Sequence, residues 1–180
     1  MAECSPEEYI SHWRIEKFDP AWNPTGKLEV SSFCRRYPHY RETYLQACWQ
    51  SVQSALKEYG VACNLNPVEG SMTVSTTKKT RDPYITVKAR DLLRLLSRSV
   101  PAPQAIKILE DDMSYDIINT RKWVRKKALE TLTNCCILVQ GNTVAAMGSF
   151  RALKKLRRIV GYINSTSWDP LAIINAEYNR

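Results

Sequence analysis

One short pattern occurs twice in this chain, and it narrows the possible folds more than any other feature. Residues 68–82 read Val68-Glu69-Gly70-Ser71-Met72-Thr73-Val74-Ser75-Thr76-Thr77-Lys78-Lys79-Thr80-Arg81-Asp82. Residues 138–147 read Leu138-Val139-Gln140-Gly141-Asn142-Thr143-Val144-Ala145-Ala146-Met147. Each copy is a β-type run, a Glu-Gly or Gln-Gly step beside a small polar residue, and a second run. An amphipathic, basic helix pattern follows each. Internal repetition of this kind predicts two copies of one small α/β unit.

With 180 residues, 44% hydrophobic and 24% charged, the chain can bury a core as one domain or two small ones. The N-terminal residues hold no apolar stretch of signal-peptide length, and no run approaches a membrane span. The expectation is therefore no membrane partner. The six cysteines form no Cys-x-x-Cys pair, and His12 and His39 are the two histidines. A zinc site would lack ligands. Free, buried thiols of a reducing compartment are expected, with no metal and no cofactor. Asn164-Ser165-Thr166 fits a glycosylation acceptor, but reads as a loop without a secretory signal.

Charge is distributed unevenly. The net value is +8. Residues 121–158 hold ten basic residues and the single acid Glu130, a local net of +9, while the rest of the chain carries −1. A polyanion partner should dock on the second copy. Small strand–strand–helix units with a basic face are a common way to hold RNA. The first copy is nearly neutral and calls for another role.

Residues 1–38 read as an N-terminal arm lying on the body through Trp13, Trp22 and Phe33. Residues 39–59 carry apolar side chains at three- and four-residue spacing, which predicts a helix stopped by Gly60. Strands are expected over 61–65 and 71–77. Asp82-Pro83 is a cap followed by a first-position proline, and it opens the next helix. A short helix is expected over 104–110, then a strand over 115–124 and a short helix over 126–132. Strands over 135–139 and 143–146 flank the Gly141-Asn142 turn. The last helix spans about 150–163. This gives an arm (1–38), a first unit (39–112) and a second unit (113–180).

On the last helix, Arg151, Lys154, Lys155 and Arg158 fall at i, i+3, i+4 and i+7, on one face. Leu153, Leu156, Val160 and Ile163 share another, suited to packing on the sheet. Charge fixed on a rigid support is what phosphate binding needs; a solvated helix face is the alternative. Arg125, Lys126 and Lys127, with Arg121 and Lys122, surround Trp123. A base could stack on that ring, or the ring could be core. Lys78 and Lys79 precede the Asp82 cap and form a weaker candidate, equally readable as a solvated turn. Neither histidine stands near a plausible nucleophile. Asp111-Asp112 reads as surface charge rather than a metal pair, and no phosphate or dinucleotide motif occurs. No catalytic residue and no small-molecule substrate is expected.

The chain resembles the KRR-motif, KH-like assembly factors of the small-subunit processome. The resemblance rests on Asn23-Pro24 with Gly26 and Leu28, Ser31-Ser32-Phe33, Tyr40-Arg41-Glu42, Tyr44-Leu45 and Cys48-Trp49. It continues through Glu69-Gly70-Ser71-Met72-Thr73-Val74, Thr76-Thr77-Lys78-Lys79-Thr80, Asp82-Pro83-Tyr84, Ala89-Arg90-Asp91-Leu92 and Arg98-Ser99. It resumes at Ile108-Leu109, Asp111-Asp112, Asp116-Ile117-Ile118, Ala128-Leu129-Glu130, Leu132-Thr133-Asn134-Cys135 and Val139-Gln140-Gly141-Asn142-Thr143-Val144. The resemblance implies an α+β chain of two tandem KH-like units, each a small antiparallel sheet with helices on one face. It implies a degenerate first unit used mainly for protein contacts and an RNA-binding second unit. The implied work is nucleolar: maturation of small-subunit pre-ribosomal RNA, alongside other small-subunit assembly factors.

One departure bears on that role. The family carries a basic run and a Gly-x-x-Gly loop before the helix that contains Ala128-Leu129. Here Trp123-Val124-Arg125 runs straight into Lys126-Lys127-Ala128-Leu129, and no two glycines stand three apart. A natural deletion, a splice or gene-model error, or loop residues left out of this chain would each produce this junction. Glycine lets such a loop approach the nucleotide backbone closely. Without it a helix is lost too, and the second sheet should lose cover on one side. The leading expectation is a non-enzymatic RNA-associated ribosome assembly factor. The alternative is a protein-interaction scaffold that has lost RNA contact.

Overall fold

Residues 18–24, 29–121 and 126–165 are described by the structure, a computed structural model. The first unit runs β1 (Ser32–Arg36), α1 (Glu42–Glu58), β2 (Val61–Asn66), β3 (Ser71–Thr76) and α2 (Pro83–Ser97). A short α3 (Ala102–Ala105) and a 3-10 turn (Ile106–Leu109) lead into the second unit. That unit repeats the order with β4 (Ser114–Asn119), α4 (Lys126–Thr133), β5 (Cys136–Gln140), β6 (Thr143–Gly148) and α5 (Phe150–Ser165). Both sheets are antiparallel with the third strand central, in the orders β1-β3-β2 and β4-β6-β5.

The repeated Gly step makes the two hairpins. Gly70 and Gly141 have φ of +60° and +54°, a region that side chains with a Cβ avoid. Asp82 Oδ1 accepts from the Tyr84 N–H at 2.8 Å and Pro83 stands first in α2, so the expected cap starts that helix. The predicted helix over 104–110 is instead α3 followed by a 3-10 turn. The strand predicted to reach residue 124 stops at Asn119. There the Thr120 N–H turns to the Asn142 carbonyl, and the Arg121 N–H to Asn164 Oδ1.

The arm reading needs correcting at its end. Ser32–Arg36 is an edge strand of the first sheet, paired from Ser32 with Ser75 to Arg36 with Ser71. Phe33 packs against the first core, whereas Trp22 stays 61% exposed, edge-on to Phe18. Trp13 lies outside the described residues.

The expected loss of cover on the second sheet does not occur. Strand alternation sends Tyr115, Ile117, Cys136, Leu138, Ala145 and Met147 to one face, and these join one continuous core with the first unit. The opposite face, with Ile137, Val144 and Ala146, packs with Leu129 of α4 and with Leu153, Leu156, Ile159, Val160 and Ile163 of α5. So the first unit covers what the second unit's own helices do not. α4 has 8 residues where α1 has 17. Polar contacts stitch this boundary. Arg94 Nη1 donates to the Tyr115 hydroxyl (3.0 Å), which donates to Asp91 Oδ1 (3.1 Å). Gln140 Nε2 donates to the Tyr40 hydroxyl (2.6 Å) and to Ser99 Oγ (3.2 Å).

Of the described cysteines, Cys34 is exposed, Cys135 is buried, and Cys48, Cys63 and Cys136 are half-buried, all as free thiols, while Cys4 lies outside the described residues. The expectation of buried thiols therefore fails at Cys34, which lies on the outer side of the edge strand. Burial pushes the Cys63 thiol up to about 11, which leaves it protonated at neutral pH. Since the thiolate is the reactive form, iodoacetamide near pH 8 should label Cys34 well before Cys63. Mass spectrometry of the tryptic peptides checks this.

Lys88 is buried in the middle of α2. Its ammonium donates to the carbonyls of Leu109 (3.3 Å) and Glu110 (2.7 Å) and to Asp111 Oδ1 (2.8 Å). It also lies 5.4 Å from the centre of the Tyr84 ring. Asp111, read from the sequence as surface charge, is the counter-ion of a buried cation. The lysine ties α2 to the segment that leads into the second unit. Lys88→Met should lower stability by about 2–4 kcal/mol, because it leaves those acceptors without a donor. Urea unfolding followed by circular dichroism measures it.

Candidate nucleic-acid interface

α5 presents the basic stripe because its other side is taken. Leu153, Leu156, Ile159, Val160 and Ile163 are buried against the second sheet, which turns Arg151, Lys154, Lys155 and Arg158 outward. The helix is also pinned by charge. Arg157 Nε and Nη2 donate to Asp116 Oδ2 (2.8 Å) and Oδ1 (2.6 Å) on β4. This two-point pairing holds the Arg157 guanidinium even further above its usual pKa. One cation of the helix is thus spent on position. Among the described residues, Arg151, Lys154 and Arg158 pair with no carboxylate. Lys155 is partly engaged, since its ammonium donates to the Leu132 carbonyl (3.3 Å) in the last turn of α4.

The other predicted cations divide. Lys126 and Lys127 open α4 and are exposed; Lys126 lies 3.7 Å from Glu130, one turn on. Glu130 Oε1 also accepts from the Ile137 N–H (3.1 Å), so the acid anchors α4 to β5. Arg125, with Lys122 and Trp123, lies outside the described residues. Lys78 and Lys79 are exposed on a loop of the first unit whose Thr77 and Thr80 hydroxyls both donate to the Gly60 carbonyl. That loop belongs to another sheet and does not extend the α5 stripe.

A cleft of about 660 Å³ opens at the start of α5, between the two units. Arg151 and Lys155 line it from one side, Gln104 and Lys107 from the other, with Asn134 and Cys136 between them. Cys136 Sγ lies 3.2 Å from Gln104 Oε1 and donates to it. Lys107 is a cation that sequence reasoning missed: it belongs to the 3-10 turn of the linker and reaches this cleft only because the units pack together. Among the described residues no group of three or more His, Cys, Asp or Glu side chains is placed to hold a metal. Guanidinium and ammonium groups on a fixed helix, beside a concave wall, can hold phosphates of a flexible strand.

Two family models match the chain. The Krr1 KH1 domain matches residues 31–111, and the second KH domain of the KRR1 small subunit processome component matches residues 118–174. The chain belongs to the KRR1 family of small-subunit processome components. Its two sheets are therefore tandem KH units, and KH units are RNA-binding modules. Among solved structures, Dim2p from Pyrococcus horikoshii OT3 superposes with a TM-score of 0.70 at 19% identity, covering 83% of this chain and 99% of that one. The aDim2p of an a/eIF2alpha–aDim2p–rRNA complex from the same organism gives 0.70 at 18% identity, over 84% and 96%. A protein of unknown function from Aeropyrum pernix gives 0.69 at 12% identity, over 83% and 89%. At these identities the likeness is one of fold.

The Arg157–Asp116 pair should contribute about 0.5–1 kcal/mol in this KRR1-family chain, as an exposed but bidentate bridge does. In a double-mutant cycle, Arg157→Ala and Asp116→Ala should each destabilise, and the double variant should cost less than their sum. Thermal melts of the four proteins measure the coupling.

Proposed function

We propose that this chain is a non-enzymatic RNA-associated factor of small ribosomal subunit biogenesis, active in pre-rRNA processing within the small-subunit processome. Its partners are pre-ribosomal RNA and other small-subunit assembly factors, and its place of work is the nucleolus. The observation that carries this reading is the cationic side of α5, where Arg151, Lys154, Lys155 and Arg158 stand exposed on a helix held rigidly by its buried side. Membership of the KRR1 family supports the biological setting. A Dim2 relative of the same fold captured with rRNA supports RNA as the ligand class, by analogy of fold.

The missing Gly-x-x-Gly loop shapes the kind of contact. A KH unit without that clamp has no glycine loop to draw the nucleotide backbone close. Binding then rests on phosphates, and should be salt-sensitive and weakly selective for sequence. Arg151, Lys154, Lys155 and Arg158 are the leading contacts, Lys126 and Lys127 with Arg125 come next, and Lys78 and Lys79 contribute least.

Small-subunit precursor RNA titrated across a salt series tests this. The four α5 cations alone should contribute about −3 to the slope of log K against log salt, using about 0.7 per contact for a single strand. Lys154→Glu with Lys155→Glu and Arg158→Glu should weaken binding at least about tenfold with the melting temperature held. Failure of the parent chain to bind would remove the RNA reading and leave a protein scaffold.

A further inference from the structure

A second cleft, of about 490 Å³, lies at the other end of the second sheet. β6 runs from Thr143 to Gly148. The cleft beside α5 opens at its Gly148 end, and this one at the Gln140–Gly141 turn, roughly 17 Å away along the strand. Its first-unit wall comes from the end of β1 and the end of α2. Arg35, Arg36 and Arg98 all line it, and no acidic side chain does. Among the described residues none of these three arginines makes an ion pair. The nearby acid Glu42 turns to His39 (3.0 Å) and accepts from Gln46 (3.1 Å). Three arginines on the walls of one cleft, with no acid among its lining residues, give it a local excess of positive charge. Composition does not force this, because the chain outside residues 121–158 carries −1.

The rest of the cleft suits a nucleotide strand. Tyr40 stands at the rim with 67% of its surface exposed, and its hydroxyl is held by Gln140, so the ring is a fixed platform for a base. A Cβ on Gly141 would meet nothing within 4 Å, which leaves open backbone for close approach. The turn also abuts the start of the basic segment. The Thr120 N–H donates to the Asn142 carbonyl (2.7 Å), and the next residue is the exposed Arg121. Flat guanidinium groups match phosphate oxygens two at a time.

We propose that this inter-unit cleft is a second RNA-backbone site, in which Arg35, Arg36 and Arg98 hold phosphates and Tyr40 stacks a base. The inference rests on the RNA reading above and extends it: the nearly neutral first unit contributes its own contacts to the same strand.

The probe is single-stranded oligouridine of about 20 nucleotides, long enough to reach past a single KH-sized site. Binding is read by fluorescence anisotropy across a salt series. The test variant is Arg35→Gln with Arg36→Gln and Arg98→Gln; the control is Lys57→Gln with Arg81→Gln, which removes exposed charge outside both clefts. The expected result is a loss of about tenfold or more in affinity, with the salt slope shallower by about 2. The control should change little, and the Lys154, Lys155, Arg158 variant should add its own loss. Single Arg35→Gln and Arg36→Gln substitutions, each expected to move the slope by about 0.7, keep the test valid if the triple variant folds poorly. A triple variant that behaves like the control, while the α5 variant still loses RNA, overturns the second site and leaves the RNA reading standing. A parent chain that binds no RNA overturns both. Binding of polyglutamate in preference to RNA, lost only in the triple variant, overturns the proposal in favour of an acidic protein ligand.

Discussion

The contact between the outer face of the second sheet and the first unit organises everything else in this chain. Tyr115, Ile117, Leu138 and Met147 stand on that face, and the helices of the second unit pack on the other. Left open, the face would expose these apolar side chains to water. Closed against α2, α3 and the linker, it becomes part of one core with Leu92, Leu96 and Ala105. This is how a KH unit with a halved helix keeps a sandwiched sheet. The same contact creates both clefts, since each is bounded by one wall from each unit.

Within that frame the charges divide into two populations. Lys88, Arg94 and Arg157 meet oxygen acceptors on neighbouring elements and set positions. Arg151, Lys154 and Arg158 meet no carboxylate among the described residues and remain on the outside of a rigid helix. Net charge alone cannot make that distinction. Arg157 and Arg158 are neighbours in sequence, yet the pitch of the helix turns one toward Asp116 and leaves the other outward.

Much of the architecture was legible in advance because local rules governed it. The Gly70 and Gly141 turns, the Asp82-Pro83 helix start and the two faces of α5 all follow from backbone conformation or 3.6-residue periodicity. Features that depend on long-range packing were not legible. Ser32–Arg36 carries two arginines and no apolar alternation, so only its pairing with β3 makes it a strand. Lys88 looks like one more helix-surface lysine until the linker folds over it. Lys107 and Arg98 acquire a place in a site only when the two units meet. For the stripe on α5 the sequence supplied the geometry; the neutral first unit concealed its arginine cluster, because acids elsewhere cancel the count.

The shared core also sets an order of events during synthesis. The first unit has its own sheet, with α1 and α2 to close it, and it leaves the ribosome first. The second unit must wait for a surface as well as for its own residues. Gln140 finds Tyr40 one hundred positions back in the chain. Until that docking is complete, Ile117, Leu138 and Met147 are exposed on a short sheet with nothing opposite them. The N-terminal unit is thus a mould as well as a module. Conditions that loosen it should release the C-terminal sheet into its most aggregation-prone form, even though none of its own residues has changed.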